Sequence, residues 1–271
     1  MERKEKKEGN LANAEKILSA LKKSGAEDAV VSIGDGRTEQ TKFVNNEVIS
    51  FNSWSNISAH IFAVFNARIV STSLDDFSEK EIARIAKKAA NFSRHLKPNK
   101  EFRGIANGPF NYQPVPETYD SKLENFGERG IDLVNNSIER ALANGAKRTA
   151  GVLKVSSSHS WLATSGNIRA QERGTSAYFS LRAFVEADAS GHQTACSCML
   201  KKLEAHESAE RAAELAKLAR NPKNGKEGVF NLIIEPLPLA CFLDEVGSSA
   251  SIFSAETGHS FLNGKLGKRV A

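Results

Sequence analysis

A short apolar stretch near the end of the chain has the outline of a metal-binding helix. Residues 239–251 read LACFLDEVGSSAS, in which Asp244 and Glu245 are followed, after three intervening residues, by Ser249. The pattern is that of His-Glu-x-x-x-His with both histidines replaced. A catalytic zinc ion needs three nitrogen, sulfur or oxygen ligands and an open position for water, and serine is not a usual zinc ligand. The stretch is a metallopeptidase helix, the remnant of one, or a coincidence, and its own residues leave all three interpretations open.

A second stretch places a histidine and a glutamate at a spacing close to the zinc motif His-Glu-x-x-His. His206 and Glu210 lie in AHESAERAAE, one helical turn apart on the same face. The lysines, arginines and glutamates around them are typical of a solvated helix face. A surface pair is therefore the simpler interpretation, and a metal site on His206 and Glu210 is the alternative.

The composition is that of a globular protein. The chain has 271 residues, of which 40% are hydrophobic and 25% charged, enough for one large domain or two to three small ones. No apolar run approaches the roughly 20 residues of a membrane span. The N-terminal residues MERKEKKEGN lead into no apolar signal segment, so we expect a cytoplasmic protein.

The charges and cysteines argue against further classes. The formal net charge of +5 comes from lysines interleaved with glutamates, so we expect no nucleic acid partner. The three cysteines form neither an even-numbered disulfide framework nor a Cys-x-x-Cys pair, which predicts reduced, buried thiols.

Hydrophobic periodicity divides the chain into two α+β units and a third segment. Residues 1–100 predict a helix, several β-strands and a second helix. Residues 101–120 are rich in proline and glycine and predict a linker. Residues 121–222 repeat the order helix, strands, helix. Residues 228–271 open with GVFNLIIEP, which predicts a buried strand at the start of a β-rich third domain. The expected fold class is α+β, with two helix-flanked antiparallel sheet units before that incomplete domain.

The order of these features resembles the TldD/PmbA family. The similar pieces are FVNNEV and ARIVSTSLDD in the first unit, SSSHSWLATSGNIRAQERGTSAYFSLRA in the second, and GVFNLIIEPLPLACFLDEV and SFLNGKLGKRVA in the third segment. Their order and spacing extend the resemblance from about residue 13 to residue 271. The resemblance implies a member of a heteromeric zinc metallopeptidase system that was formerly described as a modulator of DNA gyrase.

The degenerate motif indicates a branch of this family. In the TldD branch the helix after the third-domain strand carries His-Glu-x-x-x-His, and this chain has Asp244, Glu245 and Ser249 there. One carboxylate without a second helical ligand is too weak a site for catalytic zinc. The chain thus resembles the PmbA (TldE) branch, which implies no metal of its own, a zinc-bearing TldD-type paralogue as partner, and unfolded peptides as substrate.

The same comparison assigns Glu245 the general-base position of the motif. A base without a metal-bound water has nothing to activate, and Asp244 and Glu245 solvating a helix end is the alternative. Two other functions stay open: a self-sufficient metallopeptidase using His206 and Glu210, and a regulatory module acting on gyrase or nucleic acid. Because family members continue beyond GKLGKRVA, we expect residues 228–271 to be a truncated part of the C-terminal domain.

Overall fold

The computed structural model describes residues 2–270, and the side chains of residues 9–270. The chain divides into two compact units, Met1–Leu218 and Ala219–Ala271. The regular elements of the first unit are α1 (Glu2–Lys23), β1 (Asp28–Val44), β2 (Glu47–Phe65), β3 (Arg68–Leu74), α2 (Glu79–Ser93), α3 (Glu128–Ala143), β4 (Arg148–Thr164), β5 (Arg169–Phe184), β6 (Ser190–Ser197) and α4 (Ala205–Leu218), with 3-10 turns at Ser121–Leu123 and Leu200–Lys202. The second unit contains α5 (Pro236–Ser249) and α6 (Ile252–Glu256).

The strands form one antiparallel sheet in the order β3-β2-β1-β4-β5-β6. The α+β class is confirmed, but the expectation of two separate sheet units is wrong. β1 pairs with β4 from Val30 opposite Thr164 to Val44 opposite Ala150, which joins the two three-stranded halves. Without this pairing, the first strand of each half would expose a long row of unpaired backbone N–H and C=O groups.

The helices of the first unit cover one face of this sheet. Alternate residues of β1, such as Val31 and Ile33, are buried in a core that also contains Ile17 of α1 and Ile85 of α2. Further along the same face of β1, the carboxylate of Glu39 accepts a hydrogen bond of 2.8 Å from the amide of Gly127 at the start of α3. Ile33 and Glu39 are an even number of residues apart, so their side chains lie on the same face of the strand. The helices α1 and α2 and the start of α3 therefore lie on the same side of the sheet.

The predicted linker, residues 101–120, contains no helix or strand in the structure. It runs close to the strands: the amide of Gly108 donates to the carbonyl of Gly166 at 2.7 Å, and that of Thr175 donates to the carbonyl of Thr118 at 2.9 Å. The domain limits at 1–100, 121–222 and 228–271 stay predictions.

The strand predicted from GVFNLIIEP is absent, since residues 229–235 have no regular secondary structure and the described part of the second unit has only helices. A strand needs neighbours for its backbone groups, and no strand of residues 219–270 provides them. The cysteine prediction also needs correction: Cys196, Cys198 and Cys241 are free thiols, but all three are exposed. The helices of residues 2–270 are all too short or too polar to cross a bilayer.

Candidate functional site

The three positions of the degenerate motif lie on α5. Asp244 and Glu245 are exposed, whereas Ser249 is buried. At 3.6 residues per turn, five residues turn the helix so that positions 244 and 249 lie roughly 140° apart. Asp244 and Ser249 therefore point to different surroundings.

The burial of Ser249 results from the chain that follows α5. Its backbone carbonyl accepts a hydrogen bond of 2.5 Å from the hydroxyl of Ser260, which is also buried. Ser251 caps α6 by accepting from the amide of Ser254. The end of α5 is thus held by a hydrogen bond from the Ser260 hydroxyl to the backbone of Ser249.

The donors around α5 do not fit a catalytic zinc ion. Asp244 and Glu245 are adjacent exposed carboxylates, and Ser249 is not a usual ligand. Within residues 2–270, no three His, Cys, Asp or Glu side chains come together in a way that could hold a metal. The side chains on α5 therefore do not supply the ligand set that a catalytic zinc ion needs.

His206 and Glu210 on α4 both face α3. The Nδ1 atom of His206 lies 3.2 Å from the hydroxyl of Ser137. The carboxylate of Glu210 pairs with the guanidinium of Arg140 at 3.2 Å. These contacts join α3 to α4, so helix packing accounts for both side chains.

The structure also forms a polar pocket that the sequence motifs did not indicate. This central pocket, of about 220 Å³, lies on the helix-bearing face of the sheet. Its lining includes Asp35 and Arg37 of β1, His159 and Trp161 of β4, and Arg173 of β5. In the β1–β4 register, Asp35 lies opposite His159 and Arg37 lies opposite Ser157, so strand pairing assembles the pocket.

Two ion pairs hold the arginines of the central pocket. Arg173 pairs with Glu124 at 2.5 Å, donates a hydrogen bond to the hydroxyl of Tyr119, and stacks over the ring of Tyr119 at 3.9 Å. A guanidinium nitrogen of Arg37 lies 2.7 Å from the buried Oε1 atom of Glu39, so the two side chains form an ion pair. The angles between these groups are not those of a hydrogen bond. Each arginine is thus matched by a carboxylate.

Aromatic rings form the other wall of the central pocket. The rings of His159 and Trp161 stack with centroids 3.8 Å apart, and Nε2 of His159 lies 3.3 Å from the amide oxygen of Gln171. The indole N–H of Trp161 is buried and has no hydrogen-bond partner among the described residues. The chemistry of this pocket suits recognition of a polar group. The sequence of β4 contains a signal for this pocket. Ser157 and His159 are polar, although they occupy positions that, by the two-residue alternation of the strand, face the same side as the buried residues.

Two family models match this chain. The PmbA/TldA metallopeptidase domain 1 matches residues 29–91, and the PmbA/TldA metallopeptidase central domain matches residues 122–220. Together they cover more than half of the chain. No curated protein matches its sequence.

Solved structures share the fold at low sequence identity. A candidate modulator of DNA gyrase from Bacteroides thetaiotaomicron has a TM-score of 0.80 at 16% identity, over 97% of this chain and 62% of its own. TldE from Thermococcus kodakarensis has a TM-score of 0.77 at 15% identity, over 93% and 58%. A candidate modulator of a DNA gyrase from Thermotoga maritima has a TM-score of 0.77 at 16% identity, over 96% and 60%.

The present chain therefore spans about three fifths of the length of these proteins. The matched models follow the two helix-flanked halves of the sheet in their order along the chain. The chain therefore belongs to the PmbA/TldD metallopeptidase family.

Proposed function

We propose that this chain is a subunit, without zinc of its own, of a TldD/TldE-type metallopeptidase complex that cleaves unfolded peptides. The observation that carries the proposal is the donor set on α5. Asp244 and Glu245 are exposed, Ser249 is buried against the next turn, and no third metal ligand lies with them among the described residues. In a metallopeptidase family, such a chain needs a partner that supplies the metal.

The partner in this proposal is a zinc-bearing TldD-type paralogue. It supplies the metal, the activated water and the general base, while the present chain helps to enclose the peptide. Glu245 keeps the general-base position of the motif in sequence, but without a metal-bound water it has no proton to remove during attack. The likeness of the fold to TldE from Thermococcus kodakarensis supports this assignment.

The first test concerns metal content. Purified in the absence of chelators, the isolated chain is expected to contain no stoichiometric zinc and to hydrolyse no unfolded peptide. Elemental analysis and a peptide-release assay measure both quantities. About one zinc ion per chain that disappears in the variant His206→Ala would instead favour a self-sufficient site on α4.

The second test concerns assembly. Peptidase activity is expected only when this chain and the zinc-bearing paralogue are mixed, because the metal and part of the cleft then lie on different polypeptides. In a titration at constant paralogue concentration, activity should rise and saturate at a fixed ratio. Full activity of the paralogue alone, unchanged by addition of this chain, would contradict the proposed partnership.

A further inference from the structure

The second strand of the sheet has a long stretch that no neighbouring strand covers on one side. β3 pairs with β2 only between Ala59 and Phe65, whereas β1 pairs with β2 from Glu47 onward. Within residues 2–270, no backbone hydrogen bond from another segment reaches the open side of residues 48–58. We call these residues the β2 edge.

The β2 edge lacks the charges and prolines that usually protect a sheet edge. Its sequence, VISFNSWSNIS, has no charge, no proline and no glycine. The only irregularity in its pairing with β1 is a register shift at its beginning. Phe51 is 41% exposed and Trp54 is 46% exposed. Natural proteins place charges, prolines or bulges on free edges because an open row of N–H and C=O groups pairs readily with another strand.

The other half of the sheet has an equivalent stretch that is protected. β6 pairs with β5 only from Ala177 onward, so residues 169–176 also extend beyond their neighbour. That stretch contains Arg169, Glu172 and Arg173, and the amide of Thr175 is bonded to the carbonyl of Thr118. The chain thus covers and charges one long edge and leaves the other open and neutral.

We propose that the β2 edge pairs antiparallel with the β2 edge of a second copy of this chain, around a two-fold axis at Ser53. Each copy contributes its six strands to one continuous sheet. Such an interface is isologous and closes on itself, since both open edges are used at once. The eleven paired residues span about 36 Å at roughly 3.3 Å per residue.

The side chains of the β2 edge suit this register. With the axis at Ser53, Phe51 lies opposite Ser55 of the second copy, and Trp54 lies opposite Asn52. The two large aromatic side chains then each have a small or polar partner across the interface, and Ile49 lies opposite Ile57, an apolar pair. No like charges meet, because the edge carries none. This inference concerns the chain by itself and does not depend on the proposed function.

The first experiment uses charge reversal across the axis. Sedimentation equilibrium of the full chain is expected to show a concentration-dependent dimer. The double variant N52K/W54K places lysines opposite lysines and is expected to be monomeric. The matched variant N52K/W54E places each lysine opposite a glutamate and should restore the dimer. Asn52 and Trp54 are exposed in the single chain, and circular dichroism verifies that both variants fold.

The second experiment tests the register. In a chain with C196S, C198S and C241S, the variant S53C is expected to form a disulfide-linked dimer under mild oxidation. Directly opposed residues in an antiparallel pair have Cα atoms about 4.5 to 5.5 Å apart, within disulfide range. The control S55C should not cross-link, because Ser55 and its copy lie four residues apart along the pair, about 13 Å.

Three results would overturn the proposal. One is a monomer at every concentration. Another is a dimer that N52K/W54K leaves intact. The third is the loss of the dimer in the variant Ile233→Ser. Ile233 is 95% exposed in the second unit, so this loss would show that the second unit, and not the β2 edge, causes dimerisation.

Discussion

His192 is the histidine whose surroundings give folding a pH dependence. It lies on β6 opposite Arg182 of β5, and its Nε2 atom is 2.9 Å from the hydroxyl of Ser180. Burial, and secondly the positive charge of Arg182, lower the pKa of His192 below its ordinary value of 6.5. The folded state therefore holds this imidazole neutral where the unfolded chain already binds a proton.

We predict that His192 makes the protein less stable as pH falls below about 6.5. Between the ordinary pKa and the lowered folded pKa, the unfolded state binds more protons, so acid favours unfolding; above the ordinary pKa the effect vanishes. Urea unfolding of the wild-type chain and His192→Asn between about pH 5 and pH 8 measures this dependence. The difference in free energy of unfolding between the two proteins should change below pH 6.5, and parallel curves would contradict the prediction.

At the scale of elements, the contact between β6 and α4 depends on a missing side chain. A Cβ atom on Gly191 would lie 2.2 Å from the carbonyl oxygen of Ala212 and 2.5 Å from the amide nitrogen of Ala216. The face of α4 that meets the sheet consists of small residues, and Ala209 and Ala213 are fully buried. The backbones of α4 and β6 approach closely because Gly191 has no side chain and the buried residues of α4 closest to it are alanines.

Gly191→Ala is therefore expected to destabilise the first unit by about 1–3 kcal/mol, since the backbones must separate. Gly36→Ala is the matched control, because the nearest atom to its added Cβ is the carbonyl oxygen of Ser157 at 3.9 Å. Both glycines lie within strands of the same sheet. Chemical denaturation compares the two variants, and an equal loss of stability would show that strand propensity, not helix contact, sets the cost.

At the scale of the whole molecule, the two compact units differ in how they bury apolar residues. The first unit buries apolar residues between α1, α2 and the sheet, and it buries further ones on α3 and α4. In the second, Val229 and Ile233 are almost fully exposed although both belong to a strand-like apolar run. An apolar side chain left in water forgoes roughly 1.5–3 kcal/mol of burial free energy.

We predict that hydrogen exchange separates the two units. Amides of residues 229–234 should exchange rapidly in the chain of 271 residues, because no strand pairs with them among the described residues. Amides of residues 177–184 on β5, which pair on both sides, should be protected. Mass spectrometry of exchanged peptides compares the segments, and equal protection in both would mean that residues 229–234 complete a sheet of their own.

Local patterns predicted the order of helices and strands in the first unit, and the family. The spacing of hydrophobic residues changes from the helical period to the two-residue period of strands and back, twice along the chain. This spacing depends only on residues close in sequence, so it predicts the two runs of helix, strands and helix. The substitutions at Asp244 and Ser249 are likewise readable from the sequence, because a motif on one helix has a fixed spacing. Whether Glu245 retains a role stays a prediction.

The sequence alone thus determined the α+β class and the absence of both histidines from the motif on α5. Only the tertiary structure decided that the two halves share one sheet, that His206 and Glu210 pack against α3, and that a central pocket forms. The physical reason is sequence separation. The pairing of Asp35 with His159 joins residues more than a hundred positions apart, and such contacts are set by which edges and faces remain unsatisfied after the local elements form.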